Sequence, residues 1–498
     1  MMPGLLLLIL LTPLAATLLV VVVNRRGLWA GWTATGVMIF TMGLVYLAGV
    51  SVYSGYDLVE NYLVIAPNIH LGLHADGLSV PILGVVILLC AALTCYSVRY
   101  IEHRVSVLYQ NESAQTRANY FSRFFALLPF FPFGFIGTIL STNLISLYFF
   151  MEVLTITLFF LMASYGYRNR IHVAFISLSW GITGALLFLT ASLIVYSQLG
   201  TFEISDLSKL SGNPLLPLVI TLFLVSLLMK LAVLPFHVWM PSVHAEHPTC
   251  IAGLLAIYAN LALYVIIRLL ILPLQHELSG FGFPLMALAL ITMVYGSLLA
   301  LAQTDIKRLA ACSTISQIAY SVLGLGALTS LSIEGSLMFF LSHIMGKAVF
   351  FSAAGIVVYS TGIRDMRELG GLAQKMPLTA ILWIVGAMML SGFPPFSSFV
   401  AEWLMFTGIF ERGLLHGPAS LAIAVGGVIT ILLTVAYTFG AARQIFFGPL
   451  NPALEERNLS DPSWTMIAPL IIVAGLSALL GIYPRVFLDM LHIVLGDI

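Results

Sequence analysis

Runs of about 20 apolar residues recur along the whole chain, and they restrict its possible folds more than any other feature. A helix needs about 20 such residues to cross the hydrocarbon core of a bilayer. The sequence therefore predicts an all-α, polytopic membrane protein. About 14 spans are expected, at approximately 4–23, 29–50, 77–98, 121–140, 143–165, 171–198, 215–245, 247–273, 281–301, 307–328, 333–360, 376–409, 418–447 and 463–484.

The composition excludes several other classes of protein. Charged residues make up 8% of the 498 residues and apolar residues 60%, whereas soluble domains carry about 25% and about 45–50%. A soluble multidomain enzyme is therefore excluded. The 21 basic and 21 acidic residues balance, so a nucleic-acid binder, which needs a basic patch, is excluded as well. The four cysteines have no spacing typical of a metal site or a disulfide framework.

The basic residues indicate the orientation of the spans. One set of alternate loops contains most of them, namely Arg25, Arg26, Arg99, Arg104, Arg117, Arg123, Arg168, Arg170, Lys307, Arg308, Arg364, Arg367, Lys375, Arg443 and Arg457. The other set contains Lys209, Arg412 and Arg485, with Arg268 near the end of a span. Because basic residues accumulate in cytoplasmic loops, this bias predicts that both termini lie on the non-cytoplasmic side.

Two of the predicted spans are too long for one straight helix. Residues 215–245 contain LPFHVWMP, and residues 376–409 contain SGFPPFSS. Proline removes a backbone hydrogen bond and clashes with the preceding turn, so both spans, the seventh and the twelfth, are expected to be discontinuous. Their separation by five spans predicts two inverted five-helix repeats, a plan common in transporters. The predicted segments are an N-terminal three-helix segment (1–120), a first repeat (121–273), a second repeat (281–447) and a C-terminal span with its tail (448–498).

Four charged residues lie deep in apolar sequence: Glu152, Lys230, Lys347 and Glu402. A charge at the centre of a bilayer costs about 3 kcal/mol or more, so these residues are expected to have a function. We predict a chain of protonatable groups in which Glu152 pairs with Lys230 and controls its proton release. His343 lies one helical turn before Lys347 and is expected to join this relay. The alternative is a set of structural ion pairs that hold helices together.

His237, His244 and His247 follow the break in the seventh span. They are not spaced as a helical pair of metal ligands, and a proton entry on the cytoplasmic side, or capping of the helix end, is favoured over a metal site. The sequence contains no P-loop, no dinucleotide fingerprint and no CxxC pair. We therefore expect no cofactor in this chain, and an ion path driven by a gradient or by a partner complex. No oxygen-rich cage distinguishes H⁺ from Na⁺ as the transported ion.

Several motifs resemble those of the antiporter-like membrane subunits of respiratory complex I. They are FFMEVLTITLFF, LMKLAVLPFHVWMPSVHAEHPT, TDIKRLAACSTISQIAYSVLG, SHIMGKAVFFSAAG and LSGFPPFSSFVAEWLMFTG, and the similarity extends over about residues 70–445. The short C-terminal segment after the last span favours the subunit M type over the L type. The same family includes Mrp sodium/proton antiporter subunits and the membrane arms of energy-converting hydrogenases.

The resemblance implies a role for each buried residue. Glu152 and Lys230 match the fifth-span glutamate and the seventh-span lysine that pair in this family. His343 and Lys347 match the eleventh-span pair, and Glu402 matches the twelfth-span acid of the exit-side half-channel. Two half-channels joined by a hydrated polar axis would then carry protons.

The resemblance also implies the setting in which the chain works. It would be a non-redox, multi-pass subunit in the inner membrane of a prokaryote, surrounded by lipid and by other antiporter-like and small membrane subunits. Redox chemistry in peripheral subunits that carry Fe–S clusters would drive it. The alternatives are an Mrp-type Na⁺/H⁺ antiporter subunit and a structural subunit that has lost pumping.

Two positions depart from the family pattern. The eighth span has no central lysine, and Asn260 is its nearest polar residue, while the tenth span has Gln317 where many M-type members have histidine. An amide cannot take up and release a proton at accessible pH, but it can hold a water molecule. The lateral route from Lys230 to His343 and Lys347 is therefore expected to need water. The two departures also leave open that the chain is a hydrogenase-type or other ferredoxin- or F420-linked relative.

Overall fold

A computed structural model describes residues 3–23, 27–66 and 69–496. Within these residues the chain is mostly helical, with a single two-stranded sheet. Arg25 and Arg26, which the sequence analysis assigned to a cytoplasmic loop, lie outside the described residues.

The N-terminal segment contains three long helices and a β-hairpin: α1 (Leu5–Val23), α2 (Trp29–Tyr53), β1 (Leu58–Ala66), β2 (Ile69–Ala75) and α3 (Ser79–Leu108). The two strands are antiparallel, with an irregular register beyond Asn61. This hairpin was not predicted from the sequence. The alternation of apolar with polar or small residues in IHLGLHA is the signal for the second strand.

The remaining helices follow the predicted order of spans. The first predicted repeat contains α4 (Ala114–Leu127), α5 (Phe130–Leu140), α6 (Leu144–Tyr165), α7 (Arg170–Leu199), α8 (Leu216–Lys230), α9 (Met240–Glu246), α10 (Thr249–Ile266) and α11 (Leu272–Leu274). The second contains α12 (Ser279–Leu301), α13 (Ile306–Ala327), α14 (Ser330–Thr361), α15 (Pro377–Leu390), α16 (Ser397–His416) and α17 (Pro418–Phe446). The C-terminal segment contains α18 (Pro452–Glu455), α19 (Trp464–Ile482) and α20 (Arg485–Leu495).

Short helical turns of other types connect these helices. The 3₁₀ turns are Ile204–Leu210, Phe236–Trp239, Gln275–Leu278, Met366–Glu368 and Leu372–Gln374, and one π-helical turn is Ile267–Ile271.

In the described part of the chain, 11 stretches are long and apolar enough to cross a membrane. One of them, Thr249–Leu301, has 53 residues and joins two consecutive helices. The halves of the broken spans that end at Lys230 and Leu390 are shorter apolar helices. The multi-pass helical fold agrees with the prediction, whereas the count of 14 spans and the segment boundaries stay predictions.

Both predicted helix breaks are present. Helix α8 ends at Lys230, and α15 ends at Leu390 with α16 beginning at Ser397. The backbone groups freed at the first break find side-chain partners, because Trp239 donates to the carbonyl oxygen of Met229 at 3.2 Å and Thr292 accepts from the amide of Leu234 at 3.3 Å. The structure thus compensates inside the protein for hydrogen bonds that lipid could not replace.

Three helices form the centre of the bundle. The most apolar windows of the α10–α12 stretch, α13 and α14 are entirely buried, whereas those of α1, α2, α7, α17 and α19 are less than half buried. A helix that is covered on all sides can hold polar groups away from lipid. The candidate ion path is therefore expected along α10, α13 and α14.

A buried ion pair fixes the turn before α3 to the end of α10. Arg268, on the π-helical turn, donates to both carboxylate oxygens of Asp76 at 2.7 and 2.8 Å. It also donates to the hydroxyl of Tyr264 at 3.1 Å. Burial raises the pKa of the Asp76 carboxyl, but the charge and hydrogen bonds of Arg268 outweigh burial and hold that pKa well below its ordinary value.

Candidate functional site

The first part of the candidate site lies where α6, α8 and α10 meet. Lys230, at the last residue of α8, donates to the hydroxyl of Tyr258 at 3.1 Å, and its Nζ lies 4.7 Å from the centre of that ring. The same hydroxyl lies 3.0 Å from Oγ1 of Thr155. Tyr258 therefore joins three helices at the position of the buried ammonium.

The predicted pair of Glu152 and Lys230 is not in direct contact. Among the described residues no ion pair joins them, and Oε1 of Glu152 is buried without a hydrogen-bond partner. The carboxylate lies on α6, whose Thr155 reaches Tyr258 instead. The Tyr258 hydroxyl accepts one of the three ammonium hydrogen bonds of Lys230, and Glu152 lies beyond ion-pair distance of the ammonium.

The second part joins α10 to α14. Nδ1 of His343 lies 3.0 Å from Nδ2 and 3.3 Å from Oδ1 of Asn260. The amide also donates to the carbonyl oxygen of Ala256 at 2.7 Å, whereas Nε2 of His343 is buried without a partner in the described structure. Asn260 of α10 thus contacts His343 of α14 directly.

The third part continues from α14 through α13 to α17. Lys347, which is fully buried, donates to Oγ of Ser313 at 2.5 Å and to the carbonyl oxygen of Ala310 at 3.1 Å. One turn further along α13, Gln317 donates to Oγ1 of Thr434 at 3.1 Å and to the hydroxyl of Tyr437 at 3.3 Å. These contacts satisfy the lysine with neutral acceptors alone.

The fourth part is the break between α15 and α16. Glu402, on α16, is 9% exposed and forms no ion pair within the described ranges. Its carboxylate lies against Gly392, where a Cβ atom would be 2.1 Å from Oε2. Gly392 has a φ of +68°, a conformation that other residues rarely adopt. The glycine of the broken helix therefore makes the room that the acid occupies.

The histidines after the first break occupy different environments. Nε2 of His237, which is partly exposed, lies 3.3 Å from the hydroxyl of Tyr295. His244 and His247 are fully buried, and neither ring nitrogen of either residue has a hydrogen-bond partner in the described part of the chain. Lys307 donates to the backbone carbonyl oxygen of His247 at 2.5 Å.

Two further observations concern this region. The sequence analysis assigned Lys307 to a loop, but the structure buries it completely at the start of α13, with Nζ 3.9 Å from the ring centre of Tyr167. The phenyl ring of Phe351 is near both His244 and Lys347, with its centre 5.5 Å from the centre of the imidazole and 5.7 Å from the ammonium. In the described structure no hydrogen bond joins the side chain of His244 to that of Lys347.

The hydrogen bonds connect neighbouring helices in one continuous order, from α6 and α8 to α10, then α14, α13 and α17. The structure brings Asn260 to His343, but it does not bring Glu402 into a hydrogen bond with the others. The sequence analysis did not identify Tyr258 or Ser313. Tyrosine is enriched at membrane interfaces. A tyrosine in the middle of the apolar run LLAIYANLAL is therefore unusual, and this position could have indicated that Tyr258 has a polar partner.

Comparison with known proteins identifies the family of this chain. A family model described as NADH:quinone oxidoreductase/Mrp antiporter, transmembrane, matches residues 141–434. The chain belongs to this family. The matched range contains every residue of the predicted path, so the resemblance noted in the sequence is confirmed, and the chain is a multi-pass, antiporter-like membrane subunit.

The relatives in this family come from different complexes. NADH-quinone oxidoreductase subunit M of Rhodobacter capsulatus is 28% identical over 98% of this chain and 95% of that protein. F(420)H(2) dehydrogenase subunit M of Methanosarcina mazei is 30% identical over 74% of this chain and 75% of that protein. A chain of the Mrp complex from Dietzia sp. DQ12-45-1b has the same fold, with a TM-score of 0.86 over 99% of this chain and 97% of that chain at 21% identity.

Proposed function

We propose that this chain translocates protons as a non-redox subunit of a membrane-bound oxidoreductase complex. The observation that carries the proposal is the series of buried polar contacts that joins neighbouring helices from α6 to α17, with its middle part on the entirely buried helices α10, α13 and α14. Buried ionisable groups in membrane proteins are costly and mark ion pathways.

The chemistry of the path follows from the groups in it. Lys230 can hold a proton and release it when its surroundings change. While it is protonated, its ammonium donates to the hydroxyl of Tyr258. Asn260 cannot carry a proton, so transfer to His343 proceeds through water held by the amide. His343 and Lys347 then form the next pair of proton carriers, and Glu402 is the acid at the second helix break.

The energy for transport comes from outside this chain. The sequence contains no nucleotide or redox motif, and the family relatives are named as subunits of an NADH-quinone oxidoreductase and an F(420)H(2) dehydrogenase. We propose that peripheral redox subunits with Fe–S clusters drive the chain in a prokaryotic inner membrane. Both termini then lie on the non-cytoplasmic side.

The test measures protons moved per electron in membrane vesicles that contain the whole complex. Lys230→Ala and Glu152→Ala should each reduce proton transport while the complex still assembles. Lys209→Ala is the control, since Lys209 is an exposed residue of a surface 3₁₀ turn paired with Asp206. Unchanged transport in both path variants would contradict the proposal and would favour a structural subunit.

A second candidate is a gradient-driven Na⁺/H⁺ antiporter subunit. The matched family model covers Mrp antiporters as well as NADH:quinone oxidoreductases. Purification of the complex separates the two functions. Co-purification of flavin or iron–sulfur proteins supports the redox-driven subunit. Their absence, together with Na⁺-dependent proton movement in vesicles, supports the antiporter.

A further inference from the structure

Glu334 is a buried acid that the predicted ion path does not include. It is the fifth residue of α14 and only 3% exposed. In the described structure the ion-pair partner of its side chain is His492 of α20, whose Nδ1 lies 3.1 Å from Oε1. The side chain of His492 is 56% exposed. The pair therefore leads from the buried interior to the surface.

The packing of α14 on α16 gives the height of this acid in the bundle. Ser342 of α14 donates to Ser397 of α16 at 2.8 Å. Gly335 lies so close to Met405 that a Cβ atom would be 2.2 Å from the backbone nitrogen. As the residue number increases along α14, it decreases along α16, so the two helices are antiparallel.

This register relates Glu334 to the acid at the second break. Interpolation between the two contacts places Glu402 opposite Met338 of α14. Glu334 is four residues nearer the end of that helix, which corresponds to about 6 Å along the axis at ~1.5 Å per residue. Glu334 is thus the next buried acid after Glu402 in the direction of the bundle end that carries α20.

We propose that Glu334 and His492 form the exit of the ion path. This inference rests on the proposed function. A proton from the Glu402 carboxyl passes, through intervening water, to the Glu334 carboxylate. Glu334 then transfers it to Nδ1 of His492, and the resulting imidazolium releases a proton to water from Nε2. The ring is then left as the Nδ1–H tautomer, and proton exchange with water at the exposed imidazole restores the Nε2–H tautomer. Glu402 regains a proton from the path, so protons and water are the only reactants.

The surroundings of the pair contain few competing charges. Helix α20 packs against α14 and α19, and α19 contains no charged residue. The turn before α3 approaches Met490, but its acid, Asp76, is occupied by Arg268. On α20 itself, Arg485 and Asp489 are exposed. Glu334 therefore has His492 as its route to solvent among these elements.

The experiment uses the whole complex in vesicles and measures the rate of proton transport together with the protons moved per electron. Glu334→Gln keeps the size and a hydrogen-bond acceptor for His492 but cannot carry a proton, whereas Glu334→Asp can. We expect Glu334→Gln to lower the transport rate by about a hundredfold or more, the low end of the loss of a positioned proton-transfer group, and Glu334→Asp to recover part of it. His492→Ala should also slow transport, and added imidazole should restore it. Asp489→Asn, on the same helix, is the control.

The Lys230→Ala variant distinguishes a failure of the exit proposal from a failure of the proposed function. If Lys230→Ala stops transport while Glu334→Gln and His492→Ala leave it at the wild-type rate, the exit is elsewhere and the proposed function stands. If none of the three variants changes transport, both proposals are wrong. Slower transport in His492→Ala without rescue by imidazole, together with equal rates for Glu334→Gln and Glu334→Asp, would show that the pair only holds α20 in place.

Discussion

Replacing Tyr258 by phenylalanine removes one oxygen atom from the point where α6, α8 and α10 meet. The ring remains, so the 4.7 Å contact of Lys230 with the aromatic face is retained. The variant loses the hydrogen bond from the ammonium at 3.1 Å and the contact with Thr155 at 3.0 Å. The substitution therefore tests the hydroxyl and leaves the packing largely unchanged.

The two lost contacts set the size of the effect. A hydrogen bond to a charged group contributes about 1.5–3 kcal/mol to stability, and one between neutral groups about 0.5–1.5 kcal/mol. The free energy of unfolding should therefore fall by roughly 2–4 kcal/mol in Tyr258→Phe. If transport requires Tyr258 to hold the Lys230 ammonium, the charged bond alone corresponds to a roughly ten- to hundredfold slower rate, since about 1.4 kcal/mol is a factor of ten.

Tyr264→Phe is a matched control on the same helix. Its hydroxyl is also buried, donates to the carbonyl oxygen of Ile139 at 2.7 Å and accepts from Arg268. This variant should lose a similar amount of stability but transport protons normally per assembled complex. Thermal unfolding of the detergent-purified complex measures the stability, and proton uptake by vesicles measures the rate.

The comparison between the two tyrosines decides the outcome. Equal transport by Tyr258→Phe and the wild-type complex would refute the role of the hydroxyl in holding Lys230. Equal loss of transport in Tyr258→Phe and Tyr264→Phe would show that general destabilisation, and not the contact with Lys230, slows the complex.

Three further predictions concern stability and the lateral route. Arg268→Ala leaves the buried Asp76 carboxylate without its partner and should lower the free energy of unfolding by about 3–5 kcal/mol, as measured by thermal unfolding; a melting temperature equal to the wild type would contradict this. Because the pKa of Asp76 is depressed, its stabilisation is complete above its unfolded-state value of about 3.9 and is lost as the pH falls through the lower folded-state value. The melting-temperature difference between the wild type and Asp76→Asn should therefore be constant near neutral pH and shrink in strong acid. Asn260→Leu removes the amide that contacts His343 and should slow transport in vesicles without affecting assembly, whereas Asn260→Gln should retain part of the rate.

The sequence predicted the parts of the fold that depend on local chemistry. Apolar length predicted the multi-pass helical fold, and proline and glycine in LPFHVWMP and SGFPPFSS predicted both breaks. The hairpin and α20 were not predicted, because neither the 7-residue β2 nor the 11-residue α20 has the apolar length of a membrane span. The pairing of Asp76 with Arg268 joins residues far apart in the chain, and no local pattern indicates it.

The candidate site was predictable in its residues but not in its contacts. A charge in an apolar run is visible in the sequence, so Lys230, Lys347 and Glu402 were found. Whether Lys230 meets a carboxylate or a hydroxyl depends on the rotation of three helices about their axes, which single-sequence patterns do not fix. Lys307 was misplaced because it follows a polar loop, although packing buries it against Tyr167.

The close approach of α14 and α16 has a mechanical consequence. A Cβ atom at Gly335 would be 2.2 Å from the backbone nitrogen of Met405, and one at Gly408 would be 2.4 Å from that of Ser332. Small residues such as these glycines allow helices in membranes to pack closely. Two backbones in such close contact cannot slide past each other without steric collision. We therefore expect α14 and α16 to move together, so that the helices between them and Lys230 take up any change in the distance from Lys230 to this pair.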